Sequence, residues 1–291
     1  MDEETVQEIT KIDLSRYKSR KKKAQVNGVQ VLGGIQRSRN NIYILQDSET
    51  GRILFLKYQH AEKTPSEPDI QEERARMQSL SHPNLLEVLY FGERWFVTPR
   101  AGKDLMAWVN QVPNRKPEEY LEVVQKAAEG LAYMHSRKLI HADPNPHNFL
   151  VDGKKEARRV NITDLERSFI EGPCPHFEEG VIKGAPRFLA PEQITQAYNP
   201  DYPFTTRMDI FPLGVILYEL FEDRSPWEKQ NRGKYSNMNI FERITDSPPL
   251  PPRNASRFSM GLTDLILAML EKNPTNRPSS TEVVRALDEI I

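Results

Sequence analysis

Between residues 29 and 58 apolar and polar positions alternate, in "VQVLGG", "NIYILQD" and "RILFLKYQ", with "SETG" separating the last two. Period-two alternation broken by turn residues predicts a meander of three strands. The stretch "DIQEERARMQSLS" changes to helical spacing and stops before "HPN". Short apolar runs in "LLEVLYF" and "RWFVTP" predict further strands. After Gly102 the spacing becomes helical in "KDLMAWVNQV", "PEEYLEVVQKAAEGLAYMHSR", "RMDIFPLGVILYELFED", "NMNIFERIT", "LTDLILAMLEK" and "STEVVRALDEII". The pattern predicts an α+β, bilobal fold. A small β-rich N-lobe with one main helix occupies 29–98, and a hinge and larger helical C-lobe occupy 99–291. Residues 1–28 are left as an N-terminal arm. The hinge falls at 99–102, and a cleft between two such lobes is a usual place for a ligand.

Composition narrows the class of protein only a little. The chain has 291 residues, 28% charged and 38% hydrophobic, which is enough to bury a core and argues against disorder. A formal net charge of -1 supplies no global field toward nucleic acid or an anionic membrane. One local exception is the basic run "RYKSRKKK" in the arm, which reads as a solvated arm before it reads as a phosphate-binding or nuclear signal. Apolar runs such as "LGVILYELF" are too short to span a membrane, and "MDEETVQEITKIDL" lacks the apolar stretch of a secretory signal. Cys174 is the sole cysteine, so no intrachain disulfide forms and a reducing compartment, cytoplasmic or nuclear, is expected.

The chemistry gathers in a few places. Lys57 sits within the apolar strand "ILFLKYQ", where a charge needs a partner, and the following helix offers Glu72 and Glu73. The stretch "HADPNPHNFLV" at 141–151 crowds Asp143, Asn145, His147 and Asn148 into a loop between a helix and a short strand. Taken singly, such residues are turn formers. Asp164 follows another short β run, "RRVNIT". A carboxylate that accepts a proton, with an amide and a second carboxylate that hold Mg²⁺, is a set suited to phosphoryl transfer.

In order and spacing these segments resemble the eukaryotic protein kinase family, from about residue 29 to the C-terminus. "FLKYQ" resembles the strand whose Lys meets the nucleotide phosphates, giving Lys57, and Glu73 fits its helix partner. "HADPNPHN" resembles the catalytic loop, giving Asp143 as base and Asn148 as metal ligand. "TDLE" resembles the Mg²⁺-binding tripeptide, giving Asp164. "GAPRFLAPE" resembles the end of the activation segment, with Glu192; "DIFPLGVILYEL" the buried helix anchored by Asp209; and "NPTNRPSS" supplies Arg277 as partner of Glu192. The resemblance implies ATP and Mg²⁺ as cofactors, with Gly34 and hinge residue Ala101 beside the nucleotide, and a protein substrate.

The departures matter as much. Arg37 and Asn40 stand where the family's Gly-rich loop carries glycines, which puts a backbone phosphate cradle in doubt, although Arg37 or Arg39 could offer side-chain contacts. Ala142 replaces the catalytic-loop Arg that pairs with a phosphorylated segment, and residues 164–192 hold a single hydroxyl, Ser168. Activation by phosphorylation there is not expected. Asn145 replaces a Lys near the transferred phosphate, and Ala185 replaces the Thr that bonds that Lys together with the Asp at position 143. His147 stands where tyrosine kinases carry an Arg, and either substitutes for it when protonated or caps the loop. Glu166 replaces the Gly of "DFG". Two functions follow: a weak or atypical protein kinase, or a pseudokinase acting as scaffold or switch. "PPLPPR", opened by Pro248 and closed by Arg253, also fits an SH3-domain ligand, with a plain linker as the stronger reading.

Overall fold

The computed structural model describes residues 1–12, 24–36, 40–60, 69–112, 115–154, 157–228, 238–253 and 259–291. The chain divides into two compact units, Met1–Ser81 with Leu86–Ala101, and His82–Leu85 with Gly102–Ile291. The fold is α+β, with the strands concentrated in the first unit and the helices in the second.

The first unit runs α1 (Glu3–Thr10), β1 (Ala24–Val26), β2 (Val29–Gln36), β3 (Asn40–Asp47), β4 (Ile53–Gln59), α2 (Ile70–Gln78), β5 (Tyr90–Phe91) and β6 (Trp95–Pro99). Its strands form one antiparallel sheet in the order β1-β2-β3-β4-β6-β5. Asn27 and Gly28, both at positive φ, make the tight β1–β2 turn in the conformation that the Asn-Gly pair favours. Alternation then sorts the side chains. Val29, Val31, Tyr43, Leu45, Leu54 and Leu56 are buried on one face, against Val6 and Ile9 of α1. The intervening residues of β4, Phe55 and Lys57, point to the other face, where Lys57 lies opposite Ile42 and Phe96.

This corrects the expected arm at 1–28. Residues 3–10 are a helix capped by Asp2, whose carboxylate accepts the Thr5 N–H at 2.8 Å, and Val6 and Ile9 are wholly buried. The acidic surface of the segment conceals two apolar residues spaced to face the sheet. The basic run at 16–23 lies outside the described residues. Of the strands expected from "LLEVLYF", only Tyr90 and Phe91 pair as a strand, and Leu85 makes an isolated bridge to Ile162.

The second unit runs β7 (Lys103–Asp104), α3 (Leu105–Gln111), α4 (Pro117–His135), β8 (Leu139–Ile140), β9 (Phe149–Asp152), β10 (Arg159–Ile162), β11 (Phe169–Ile170), α5 (Pro191–Thr195), α6 (Ile210–Glu222), α7 (Ile240–Asp246), α8 (Met260–Met269) and α9 (Ser280–Ile290). Two small sheets, β10-β9-β7 and β11-β8, flank the loop at 141–148. Helix α6 is apolar nearly all round, which only a fully enclosed helix tolerates, and every residue from Ile210 to Tyr218 is buried. The segment 248–253 is packed against this unit. Tyr218 donates to the Leu250 carbonyl, Arg224 to that of Pro251, and the Arg253 N–H donates to Glu222. Its backbone is therefore committed, which argues against the SH3-ligand reading.

Candidate active site

The first unit contributes one ion pair. Lys57 Nζ lies 2.7 Å from Glu73 Oε2, with the two side chains 13% and 2% exposed. Of the two glutamates available, Glu72 instead pairs with Arg76 one helical turn along α2. Asp69 caps α2, and the Ile70 N–H donates to Gln59 Oε1, which ties the start of the helix to β4. Gly34 sits in β2 opposite Tyr43, just past a register shift between Val31 and Gly33. Arg37 and Arg39 lie outside the described residues, and Asn40 is buried at the start of β3. Ala101 ends the first unit, half-buried.

The second unit builds the rest of the set on Asp209. Its carboxylate is fully buried, and it accepts the His141 N–H at 2.7 Å, the Ala142 N–H at 2.9 Å and a bond from His135 Nε2 at 2.8 Å. These bonds hold Ala142 at φ 68, a left-handed conformation that a non-glycine residue keeps only when its surroundings impose it. The His141 ring accepts the Asp143 N–H at Nδ1 and so donates from Nε2 to the Thr163 carbonyl at 3.1 Å.

Asp143 follows, and its backbone carbonyl is the hub of the loop, accepting from Asn145 Nδ2 at 3.2 Å and Asn148 Nδ2 at 2.9 Å. Its carboxylate accepts the Ala185 N–H at 3.4 Å. Gly184 precedes that N–H at φ 126, a conformation that favours glycine, and a Cβ there would fall 2.8 Å from Leu189 Cδ2 and 3.5 Å from Asp143 Oδ1. Burial pushes the Asp143 carboxyl above the usual carboxylate range. His141, Arg167 and the Ala185 N–H oppose that shift, and the charge of Asp164 adds to it. Asp164 itself is half-buried at φ 63, opening the tight turn Leu165–Arg167.

The structure also places three residues that the sequence singled out, Asn145, His147 and Ser168. Asn145 is buried with both polar atoms committed to the loop, Nδ2 to the Asp143 carbonyl and Oδ1 to the His147 N–H. It braces and caps the turn Pro146–Asn148 with one hydrogen bond from each polar atom. The His147 ring is 72% exposed and points at Asp104, with Nδ1 3.7 Å from the carboxylate that caps α3. It therefore serves the rim of the loop. Ser168 is wholly buried, and its hydroxyl donates to the Leu165 carbonyl at 2.7 Å. The remaining thiol, Cys174, is half-buried, and burial pushes its pKa up.

The sequence placed position 185 beside Asp143 through the resemblance, but it marked out neither Gly184 nor the backbone N–H of Ala185 as neighbours of that carboxylate, nor Arg167. The turn character of "KGAP" was the available signal for the first two, and for Arg167 only its position three residues beyond Asp164. Arg277, by contrast, behaves as its resemblance implied. It is 1% exposed, makes two 2.7 Å bonds to Glu192, and directs its remaining N–H bonds to the carbonyls of Arg207, Glu271 and Lys272.

The donor set suits a hard divalent cation. Asn148 spends its amide nitrogen on Asp143, which leaves Oδ1 as its oxygen ligand, and Asp164 supplies a carboxylate near enough to Asp143 to affect its titration. Amide and carboxylate oxygens are the donors Mg²⁺ prefers, so the residues fit the ion that the resemblance implies.

A family model described as the protein kinase domain matches residues 38–287. Similar proteins include the serine/threonine-protein kinase pkn3 of Myxococcus xanthus, 29% identical over 230 residues, covering 74% of this chain and 40% of that protein. The serine/threonine-protein kinase PrkC of Bacillus subtilis is 22% identical over 254 residues, covering 84% and 37%. Mitogen-activated protein kinase kinase kinase 1 of Rattus norvegicus is 26% identical over 263 residues, covering 84% and 17%. The chain thus spans less than half the length of these relatives. With 38–287 matched as one continuous domain, this chain belongs to the protein kinase domain family.

Proposed function

We propose that this chain transfers the terminal phosphoryl group of ATP to a protein hydroxyl. The observation that carries this reading is the buried Lys57–Glu73 pair. A buried ion pair is no better for stability than apolar residues of similar size, so its retention points to work on an anion. In the reaction the substrate hydroxyl gives its proton to an Asp143 carboxylate oxygen as the new O–P bond forms and the bond to the departing diphosphate breaks. Asn148 and Asp164 would hold the metal ion, which when bound neutralises phosphate charge. Lys57 binds the phosphates, and Glu73 holds its ammonium in place. The names of the relatives make serine and threonine hydroxyls the first acceptors to try. The single cysteine suits a reducing compartment, cytoplasmic or nuclear. Among the described residues no helix is long and apolar enough to cross a membrane.

A second reading, a nucleotide-binding pseudokinase that does not turn over, is favoured by Asn145, which supplies no charge and has both polar atoms engaged. Losing one electrostatic stabiliser costs on the order of 10²–10³ in rate, which slows chemistry without ending it. The test is phosphate incorporation into a generic protein substrate, with the ATP-dependent rise in Tm measured in parallel, for wild type, Lys57→Met and Asp143→Asn. Transfer lost in Asp143→Asn with the thermal shift retained supports the enzyme. A thermal shift with no transfer by the wild type supports the second reading, and the absence of any shift ends both.

A further inference from the structure

Helix α1 lies outside the residues that match the protein kinase domain, yet it is built into the first unit at three points along its length. At its start, Trp95 Nε1 donates to Glu3 Oε2 at 2.7 Å. In its first turn, Thr5 Oγ1 accepts from Asn27 of the β1–β2 turn at 3.3 Å. At its end, the Thr10 carbonyl accepts from the Tyr43 hydroxyl at 3.3 Å. Between these, Val6 and Ile9 close over Val31, Leu45 and Leu56, and Leu56 is the neighbour of Lys57 in β4.

The bond to Trp95 reaches further than its own strand. Trp95 closes the β5–β6 turn, its carbonyl accepting the Gly92 N–H at 2.9 Å. The Gly92 carbonyl in turn accepts from Arg74 Nη1, and the Arg74 guanidinium also lies over the Phe91 ring, 5.1 Å from its centre. Gly92 is wedged between the partners on its other side: a Cβ there would fall 2.2 Å from Trp95 Nε1 and 2.5 Å from Glu3 Oε2. Arg74 is the residue after Glu73 in α2. The turn at 92–95 is thus held by α1 on one side and grips α2 on the other.

We propose that α1 is a positioning element for the Lys57–Glu73 pair, with Glu3 acting through Trp95 and the Gly92 turn on Arg74 to hold α2 where Glu73 meets Lys57. The use of that pair for phosphate rests on the function proposed above; the mechanical link itself does not. Glu3 and Arg74 are positioning residues, neither of them touching a reacting atom. Any event that lifts α1 from the sheet then weakens nucleotide binding without altering a residue of the catalytic loop. Regulation of the domain therefore has an entry point at α1.

Amide hydrogen exchange of the full chain without nucleotide tests the link. Glu3→Ala is expected to speed exchange of α2 amides roughly tenfold, the weight of one charge-assisted hydrogen bond, while α6 amides keep their wild-type rates. Glu3→Gln, which retains an oxygen acceptor for the indole N–H, restores most of the protection. Trp95→Phe, which deletes that N–H and keeps a ring, reproduces Glu3→Ala and stands in for it if Glu3→Ala fails to fold. Because Glu3 and Arg74 act through one turn, the double variant with Arg74→Ala exchanges no faster at α2 than Arg74→Ala alone. Faster exchange confined to α1, β1 and β2, or additive effects at α2, would overturn the proposal. ATP titration of the same variants separates the two claims. If the wild type binds no ATP, the function falls while the exchange result stands. If it binds, Glu3→Ala should weaken ATP by a similar factor, raising KM for ATP more than it lowers kcat.

Discussion

At Asp143 the chemistry proposed for the residue and the stability of the fold pull in opposite directions. Burial holds its carboxyl above the ordinary range, so between its unfolded and its folded pKa the native chain binds more protons than the unfolded one. Stability from this group therefore falls as pH rises through that window and is fully lost above it. Asp143→Asn keeps the shape and the oxygen that accepts the Ala185 N–H, and it removes the buried charge. The variant should melt higher than wild type at pH 7, by on the order of a few degrees, and the difference should vanish at acid pH. Its phosphotransfer should be lost, whereas wild-type activity should rise with pH as Asp143 gives up its proton. Tm and rate measured across the same pH series check both halves, and an unchanged or lower Tm at pH 7 would show that the charge is better solvated than its burial indicates. This residue was legible in the sequence because order and spacing singled out the loop. The role of Asn145 was not, since an Asn that bonds its own loop looks the same in sequence as one that faces a substrate.

Elements divide along the same line between what patterns reveal and what only tertiary contacts decide. Strands β2, β3 and β4 are half-buried, so alternation gave them away, and α6 declared itself by being apolar all round. The two-residue strands β5, β7, β8 and β11 carry too few positions to show any period, and they exist because a neighbouring strand is there to pair with. Helix α1 was concealed by brevity, with only Val6 and Ile9 fully apolar inward. The pairing of α5 with the segment before α9 was legible only through resemblance, since Glu192 and Arg277 stand far apart in sequence. Their contact is now specific: a doubly bonded pair, 5% and 1% exposed. Removing one partner leaves an uncompensated buried charge, which costs about 3–5 kcal/mol. Arg277→Ala should lose that much stability in urea unfolding, and Glu192→Gln, which keeps the shape but leaves the Arg277 guanidinium buried without its counter-charge, should lose a similar amount. A Glu192→Gln variant as stable as wild type would show that packing, not charge, holds α5 in place.

At the scale of the whole chain, the limits of the family match and the limits of the fold disagree. The match begins at residue 38, within the connection from β2 to β3. Cutting there removes α1, β1 and β2 and converts β3 from an interior strand into an edge. It also strips Val6, Ile9, Val29 and Val31 from the core, leaving Tyr43, Leu45, Leu54 and Leu56 facing water. Each buried aliphatic or aromatic side chain is worth about 1.5–3 kcal/mol, so losing four contributors approaches the whole stability of a typical domain, about 5–15 kcal/mol. The newly exposed edge beside an apolar face is also a template for aggregation. A chain reduced to 38–287 should therefore be largely insoluble. A chain of 1–291 carrying Val6→Asp and Ile9→Asp should melt well below wild type, because two charges would then sit against the same sheet face. Soluble yield and Tm of the two, compared with the full chain, decide the matter. If the 38–287 chain were soluble and folded with the wild-type Tm, the first 37 residues would be an appendage, and the sheet would have to be covering its own apolar face by some other means.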